Sequence, residues 1–547
     1  MKQFFLTVLG VFLGLVLFVV VVPVVLITAA VSSASSTPVT ASNTVLELDL
    51  REGMTDQDPI NPFAVFGGSG LSVMEVVDTL AQAGDDRHVK ALLIRLPEAG
   101  MTPAAADEVR QAVRRFRASG KVVIAHSQGF QPVGTTISSY EYKNAVNEYT
   151  QSDFTPAHRE AMTAWMTSIY TSAIANAASD RKVTPAALRT TIEGGPWSSA
   201  EALQRKLIDK IGQVEEAETE IMRRAGRNAV LVDLGDYASA KGQRTGSGRN
   251  AIAIVGGEGA ILTGTGSGGG FGGGASIRSD DLAAAIYEAI DDKDVKAIVF
   301  RVSSPGGSPE ASEQILAAVR AARAAGKPVV VSMGAYAASG GYWISSEADY
   351  IVAQPSTLTG SIGVYGGKFV LANALGRFGV DIRDLSVGGD YADAFSPARP
   401  FTASQRADYA ASIDRTYEEF VTRVATGRRL TPARVREIAR GRVWTGRQAK
   451  ELGLVDELGG LHEAIVQARR LAEIPAAESV RFKRYPTPAS PWEALSEAFG
   501  VSSEAARVLV GIGGVMSDPQ ARGVLQRIES ERMRSAGASV LAEQPLP

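Results

Sequence analysis

Cysteine is absent from the 547-residue chain, and histidine occurs only four times, at positions 88, 126, 158 and 462. The absence of cysteine excludes disulfide bonds, a thiolate nucleophile and thiolate metal sites. No HExxH motif or other metal-ligand spacing is present, so we expect neither a bound metal nor another cofactor. The GxSxG motif is also missing, which argues against the serine–histidine triad of the α/β-hydrolases.

Charge is scarce in one segment and nearly balanced overall. The net charge is −3, so nothing in the charge balance favours nucleic-acid binding. Residues 4–31 carry no charge over 28 positions. About 20 apolar residues cross a bilayer core, whereas the apolar part of a cleaved signal peptide is roughly 7–15 residues long. We therefore predict a retained transmembrane anchor within residues 1–31, with cleavage near Ala34 as the alternative.

The few charges near this run also predict its orientation. Lys2 and the amino terminus are the only charges before it, so the short end should stay cytoplasmic. The rest of the chain then lies across the membrane, behind a flexible, serine-rich linker at 32–43.

The remainder of the chain repeats itself. Residues 85–96 read DDRHVKALLIRL and residues 291–302 read DDKDVKAIVFRV; TPAALR at 184–189 returns as TPARVR at 431–436. Such self-similarity indicates two tandem copies of one unit. Strand and helix patterns alternate in each copy, which predicts an α/β fold with a parallel sheet. Long helical patterns follow at 157–182 and 185–225, and again at 405–428 and 432–472.

These patterns predict the domain boundaries. The N-terminal repeat spans 44–249 and the C-terminal repeat spans 250–475. Residues 476–547 form a tail to which we assign no chemistry. A glycine-rich stretch, GTGSGGGFGGG at 264–274, contains GxGxxG, but it opens no helix promptly and is interpreted as a loop.

The two copies have lost different polar residues. The second has a glycine-flanked serine, Ser339, where the first has Ile137-Ser138-Ser139; the first has Lys143 where the second has Ala392. This reciprocal pattern suggests one composite site shared by the two repeats.

Ser339 follows the apolar strand pattern VVVSM at 329–333 and precedes two glycines. Amide groups left free at a helix start suit a developing oxyanion. A second glycine pair, in SSPGGS at 303–308, follows the neighbouring strand pattern, and both loops should emerge at the carboxyl edge of the sheet. A simple tight turn is the alternative interpretation of such a glycine pair.

A serine nucleophile needs a base, and none of the four histidines lies beside the serine motif. Lysine can serve when burial lowers its pKa by as much as roughly 3–5 units. Lys143, within YEYKNAVNEY, is the candidate, although a solvated surface lysine is the ordinary alternative.

Taken together, SSPGGS, YAASGGYWIS, PSTLTGSIGV and YKNAV followed by FTPAHRE resemble the signal peptide peptidase A (protease IV) family in its long, duplicated form. The resemblance covers most of residues 44–475. It implies two tandem ClpP/crotonase-like repeats behind an N-terminal transmembrane helix, and a serine–lysine peptidase that degrades cleaved signal peptides or other short hydrophobic peptides. It also implies a homotetramer on the bacterial inner membrane, with the ectodomain in the periplasm.

The resemblance implies a role for each residue of the site. Ser339 would be the nucleophile and Lys143 the general base, with Ser361 orienting the lysine amine. The amides of Gly307 and Gly340 would form the oxyanion hole.

One departure from the family pattern concerns the first repeat. Two positions separate Tyr140 from Tyr142, whereas 49 separate Tyr342 from Tyr391, a difference of 47 residues. The missing segment would support the lysine loop. Two alternative functions therefore stay open: a catalytically degenerate, membrane-tethered scaffold of the same family, and a crotonase-type acyl-CoA enzyme, against which the anchor argues.

Overall fold

The computed structural model of the chain describes residues 42–51, 53–57, 71–97, 101–128, 153–241, 248–266, 275–380, 382–475 and 477–486. The predicted anchor at 4–31, Lys143 and most of the predicted tail lie outside the described residues. Within those described ranges, no helix is long and apolar enough to cross a membrane.

The first half of the described chain, residues 42–241, builds a four-stranded parallel sheet in the order β3-β2-β1-β4. Its elements, in chain order, are β1 (Thr44–Asp49), α1 (Val73–Asp85), β2 (Val89–Arg95), α2 (Pro103–Ala118), β3 (Val122–His126), α3 (Pro156–Arg181), α4 (Pro185–Glu193), α5 (Ser199–Gln204), α6 (Val214–Ala225), β4 (Val230–Asp233) and α7 (Leu234–Lys241).

The second half builds a larger sheet in the order β12-β11-β9-β8-β5-β14, with β10 between β9 and β13. Its elements are β5 (Ala251–Glu258), β6 (Ala260–Leu262), β7 (Ser276–Arg278), α8 (Ser279–Asp291), β8 (Val295–Ser304), α9 (Pro309–Ala324), β9 (Val329–Ala338), α10 (Gly340–Trp343), β10 (Tyr350–Ala353), β11 (Leu358–Gly360), α11 (Ala372–Gly376), α12 (Ala403–Arg428), α13 (Pro432–Ile438), β12 (Val443–Thr445), α14 (Gly446–Glu451), β13 (Glu457–Leu458), α15 (Leu461–Leu471) and β14 (Arg481–Tyr485).

The sheets confirm the predicted mixed α/β architecture with parallel strands. The apolar runs at 89–96 and 295–302 become β2 and β8, the central strands that are covered on both faces. Every strand pair in the larger sheet is parallel except β11 with β12. Such strands bury nearly every side chain, which is why the two runs lack polar alternation.

Serine–proline and threonine–proline pairs begin five of the described helices, and in four of these the serine or threonine side chain caps the helix. Thr155, Thr184, Ser308 and Thr431 are the N-caps of α3, α4, α9 and α13, and each side chain accepts a hydrogen bond from a first-turn backbone amide. The proline that follows has no amide hydrogen to satisfy and its fixed φ suits the first helical position.

The long helical predictions at 185–225 and 432–472 were wrong in detail, because each region is divided into three short helices. In the first half, Gly194, Gly195 and Pro196 end α4. In the second, Gly441 and Gly453 adopt positive φ values of 76° and 78°, which end the turns after α13 and α14. The helical periodicity continues across these breaks, so the pattern alone did not locate them.

The two halves share a strand order. The order β3-β2-β1-β4 in the first half corresponds to β9-β8-β5-β14 in the second. The polar contacts at the helix ends also recur: the Tyr237 hydroxyl donates to the Asp86 carboxylate at 2.9 Å, and the Tyr485 hydroxyl donates to Asp292 at 2.7 Å. β14 thus takes the place of β4, although its polar sequence RFKRY left it in the predicted tail.

The halves differ beyond their third strand. β10 and β11 both pair with β9, and neither has a counterpart among the described residues of the first half. The shortening predicted from the sequence falls in this region, where residues 129–152 lie outside the described residues.

A fully buried arginine joins the halves. The Arg301 guanidinium, on β8, donates to Asp56 at 2.9 Å, to Glu108 at 2.9 Å and to the Ser332 hydroxyl at 2.9 Å. Glu108 also accepts the Leu461 amide at 2.7 Å. Burial by itself lowers the pKa of Arg301, but the two carboxylates from the first half raise it above its usual range. The guanidinium therefore stays charged and satisfied.

Close packing accompanies these ion pairs. A Cβ built on Gly334 would lie 2.6 Å from the Asp56 carboxylate, so a larger residue could not face that carboxylate. Glycine at this position lets a side chain of the first half reach the backbone of β9.

We predict that Glu108→Ala lowers the free energy of unfolding by about 3–5 kcal/mol, because it leaves a buried guanidinium with one carboxylate and the Leu461 amide without an acceptor. Glu215→Ala is the matched control, since Glu215 is an exposed first-half helix residue and its loss should cost less than about 0.5 kcal/mol. The measurement is the urea midpoint of each variant. Equal midpoints would show that the cluster does not hold the halves together.

Candidate active site

Ser339 occupies a strained turn between β9 and α10. Its φ of 54° and ψ of −122° lie outside the regions that a residue with a side chain ordinarily adopts. Such a conformation costs of order 1–3 kcal/mol and persists only when its surroundings hold it. The Ser339 amide donates to the Gly360 carbonyl at 2.9 Å, which continues the β9–β11 pairing through the turn.

The Ser339 side chain lies against the 303–308 segment. A Cβ built on Gly306 would lie 2.7 Å from the Ser339 Cβ and 3.0 Å from its Oγ. The serine is partly exposed, and its Oγ has no hydrogen-bond partner among the described residues. The hydroxyl is therefore available to a substrate or to a base.

Ser361 follows Gly360, the last residue of β11, which pairs with Ala338 of β9. Its φ is 49°, its amide donates to the Arg442 carbonyl at 2.8 Å, and its hydroxyl lies 3.4 Å from the Gly441 carbonyl. Because Gly360 pairs with Ala338, Ser361 and Ser339 leave adjacent strands at the same level of the sheet.

The Gly307 amide is aimed by its neighbours. The Ile261 amide donates to the Gly306 carbonyl at 3.0 Å, and the Ser308 amide donates to the Ile261 carbonyl at 2.9 Å. In a parallel bridge of this kind the central residue uses neither of its own backbone groups toward the partner strand. The N–H of Gly307 therefore points away from Ile261.

The Gly340 amide lies on the side of Gly307 that faces away from Ile261. A Cβ built on Gly340 would lie 3.0 Å from the Gly307 nitrogen, so the two glycines are in close approach. Within the described part of the chain, neither the Gly307 amide nor the Gly340 amide donates a hydrogen bond. Two unused amides beside a serine hydroxyl are the arrangement that stabilises an oxyanion.

A half-buried carboxyl group lies next to the same segment. Glu258 pairs with Ser303 across β5 and β8, and it accepts the amides of Asp56 and Gln57 at 3.3 and 3.0 Å. Burial raises the pKa of the Glu258 carboxyl, and the neighbouring Asp56 carboxylate raises it further. Glu258 therefore takes up a proton at a higher pH than a solvated glutamate does.

The structure brings four of the five predicted site residues, Ser339, Ser361, Gly307 and Gly340, to one edge of the larger sheet. Lys143 lies outside the described residues. Gly306 was not singled out in the sequence, although the SSPGGS motif contains it. Its contact with Ser339 arises from the packing of two loops, which a motif does not display.

Histidine takes no part in this arrangement. His88 precedes β2, His126 ends β3, His158 lies in the first turn of α3 and His462 in that of α15. None donates to or accepts from the Ser339 hydroxyl.

Comparison with known proteins identifies the family. The profile of peptidase family S49 matches residues 133–228 and 321–475. Protease 4 of Salmonella typhi is 35% identical over 458 residues, which cover 74% of this chain and 72% of that protein. The chain belongs to peptidase family S49. It is a serine peptidase.

Other relatives are similar over comparable lengths. Protease 4 of Haemophilus influenzae is 30% identical over 461 residues, covering 73% of each chain. The chloroplastic serine protease SPPA of Arabidopsis thaliana is 26% identical over 490 residues, covering 80% of this chain and 70% of that one. The first S49 range contains Lys143 and the second contains Ser339 and Ser361, whereas Gly307 lies outside both.

We predict that Gly306→Ala reduces kcat/KM for peptide hydrolysis by about 100-fold or more. Its Cβ would press on Ser339 and on the Gly340 amide, and a displacement of about 1 Å at a reacting centre has an effect of that size. Gly326→Ala is the control: φ is also positive, at 75°, but a Cβ there meets no atom within 4 Å.

Both variants carry the same kind of backbone strain, so their difference isolates the contact with the serine turn. Hydrolysis rates and unfolding midpoints should be measured together. Equal loss of activity in the two variants would contradict the contact's importance.

Proposed function

We propose that this S49 peptidase is a membrane-anchored serine endopeptidase that hydrolyses cleaved signal peptides or other short hydrophobic peptides. Ser339 is its nucleophile, Lys143 its general base, and the reaction passes through an acyl-enzyme. The observation that carries the proposal is the Ser339 hydroxyl, which has no described hydrogen-bond partner and lies beside the unused amides of Gly307 and Gly340.

The geometry supports a two-step acyl transfer. The Ser339 oxygen attacks the peptide carbonyl while its proton passes to the neutral amine of Lys143. The carbonyl oxygen takes on negative charge and is stabilised by the Gly307 and Gly340 amides. The lysine then returns the proton to the leaving amine, the C–N bond breaks, and an ester links the acyl group to Ser339. A water molecule, deprotonated by the same amine, hydrolyses the ester.

Ser361 supports the base in this scheme. Its hydroxyl emerges at the same level of the sheet as Ser339, so it is placed to orient an amine that approaches the nucleophile. The lysine must be neutral to accept a proton, which requires a pKa depressed from about 10.4 by burial.

We further propose that the chain consists of two copies of one unit with a single site between them. The shared strand order and the recurring aspartate–tyrosine contacts support this view. The Arg301 cluster supports it too, since it fastens carboxylates of the first half to the sheet that carries Ser339. A lysine supplied by the first half then completes the site of the second.

We predict that Ser339→Ala abolishes hydrolysis without changing the unfolding midpoint, because the residue loses only a partly exposed hydroxyl.

Lys143→Arg should be as inactive as Lys143→Ala, since guanidinium stays charged and cannot accept a proton. Activity of the unaltered protein should rise with pH as the lysine loses its proton. Initial rates across a pH series are the measurement.

Lys210→Ala is the control for these lysine variants, because Lys210 is exposed and should leave activity unchanged. Activity in Ser339→Ala within a few-fold of the unaltered protein would mean that another group attacks. Full activity in Lys143→Ala would exclude a dyad of Ser339 and Lys143. If the unaltered protein is folded and inactive, like its variants, the result would favour a non-catalytic scaffold.

Self-association at the membrane is the last part of the proposal. Four apolar side chains in one segment are largely exposed: Phe369 by 62%, Phe378 by 84%, Leu385 by 98% and Val387 by 93%. Several apolar side chains at such exposure within one segment are typical of an interaction surface. We propose that this surface joins copies of the chain, as a homotetramer anchored by residues 4–31 on the bacterial inner membrane with its ectodomain in the periplasm.

We predict that the protein without residues 1–31 is released from membranes by an alkaline wash, whereas the full chain is retained.

The released protein should sediment with the mass of about four chains. The double variant Leu385→Asp/Val387→Asp should sediment as a smaller species, because charge would replace apolar contact. Val466→Asp, at a 50% exposed position elsewhere, should not change the mass. A single-chain mass for the unaltered protein would refute the tetramer.

A further inference from the structure

A fully buried serine lies inside the turn that presents the Gly307 amide. Ser304 is the last residue of β8 and has no solvent-exposed surface. Its Oγ donates to the Gly259 carbonyl at 2.7 Å and accepts the Gly306 amide at 3.1 Å. A hydroxyl has one proton, so this one is committed to Gly259 and cannot be donated to a substrate.

Ser304 hydrogen-bonds two backbone groups, the Gly259 carbonyl and the Gly306 amide. These groups belong to the two segments that form the bridge between Ile261 and Gly307. Gly259 immediately precedes β6, whose Ile261 accepts from Ser308 and donates to Gly306. Gly306 is the residue before Gly307 on the other side. One hydroxyl therefore ties the strand that aims the Gly307 amide to the turn that contains it.

The surroundings leave little room for this tie to shift. Gly259 has a φ of 96°, and a Cβ there would lie within bonding distance of the Ala275 carbonyl. A Cβ on Gly341 would lie 2.6 Å from the Ser304 carbonyl. Ser304 is thus enclosed between Gly259, which precedes β6, and the first residues of α10, Gly340 and Gly341.

We propose that Ser304 is a positioning residue for the oxyanion hole: it sets the direction of the Gly307 amide without touching the substrate. The inference rests on the proposed function of Ser339 and goes beyond it by naming what fixes the oxyanion donor. Losing one such donor lowers kcat by about 10²–10³. Loosening the donor without removing it should lower kcat by about 10–100-fold and leave KM nearly unchanged.

The neighbouring residue provides a matched control. Ser303 is 1% exposed, and its Oγ is buried with no hydrogen-bond partner among the described residues. Ser303→Ala therefore removes a buried hydroxyl of the same kind, one position away, without removing a hydrogen bond. It should leave kcat and KM unchanged.

The test compares the full-length chain with Ser304→Ala, Ser304→Cys, Ser303→Ala and Ser339→Ala. Each protein is assayed with a fluorogenic peptide for kcat and KM, with a peptide boronic acid for Ki, and by its unfolding midpoint. The boronic acid forms a tetrahedral adduct with the nucleophile and places one oxygen in the oxyanion hole. Cysteine fills the space of serine but is a weak hydrogen-bonding group, so it separates lost bonding from lost packing.

Both Ser304 variants should lose about 10–100-fold in kcat and a similar factor in boronate affinity, with KM changed by less than about threefold. Kinetics of Ser304→Ala that equal those of Ser303→Ala would overturn the inference. So would full activity in Ser304→Cys when Ser304→Ala has lost activity, since packing would then be the cause. Full activity in Ser339→Ala would instead refute the proposed function.

Discussion

The buried ion pairs of Arg301 constrain how the two halves of the chain fit together. The arginine extends from the central strand of the larger sheet and is fully buried, so its charge is tolerated only because Asp56 and Glu108 reach it from the first half. An unpaired charge at that depth would be very costly, so the guanidinium needs its carboxylate partners as long as the two halves are packed together. The cluster therefore acts less as an added source of stability than as a constraint on how the halves fit together.

The serine turn shows a second constraint, the close approach of backbones. Ser339 holds a φ of 54° while Gly306 and Gly340 pack against it and against Gly307. The strain at Ser339 is maintained by ordinary sheet hydrogen bonds on one side and by the glycine contacts on the other. Rigid elements thus position a hydroxyl and two backbone amides beside one another.

The short strand β6 connects these features. The Ile261 backbone hydrogen-bonds both neighbours of Gly307 in the chain, Gly306 and Ser308, and makes no hydrogen bond to the Gly307 amide. Ser304 links the start of that strand to the same turn. The Ser304 hydroxyl and the Ile261 backbone therefore hold the turn, whereas the amides of Gly307 and Gly340 donate no hydrogen bond among the described residues.

The sequence by itself determined the α/β class, the central strands and the peptidase family, because uninterrupted apolar runs and short motifs are local properties of the chain. It also pointed to Ser339, Ser361, Gly307 and Gly340, whose roles remain predictions, as does that of Lys143. It did not reveal the breaks after α4 and α13, because helical periodicity continues through them. Nor did it place β14 in the sheet, since RFKRY has the composition of a surface segment. Only the tertiary structure decided that Asp56 and Glu108 meet Arg301, and that Ile261 and Ser304 aim Gly307. Those contacts join residues far apart in the chain through packing and hydrogen bonds, which leave no periodic signal in the sequence.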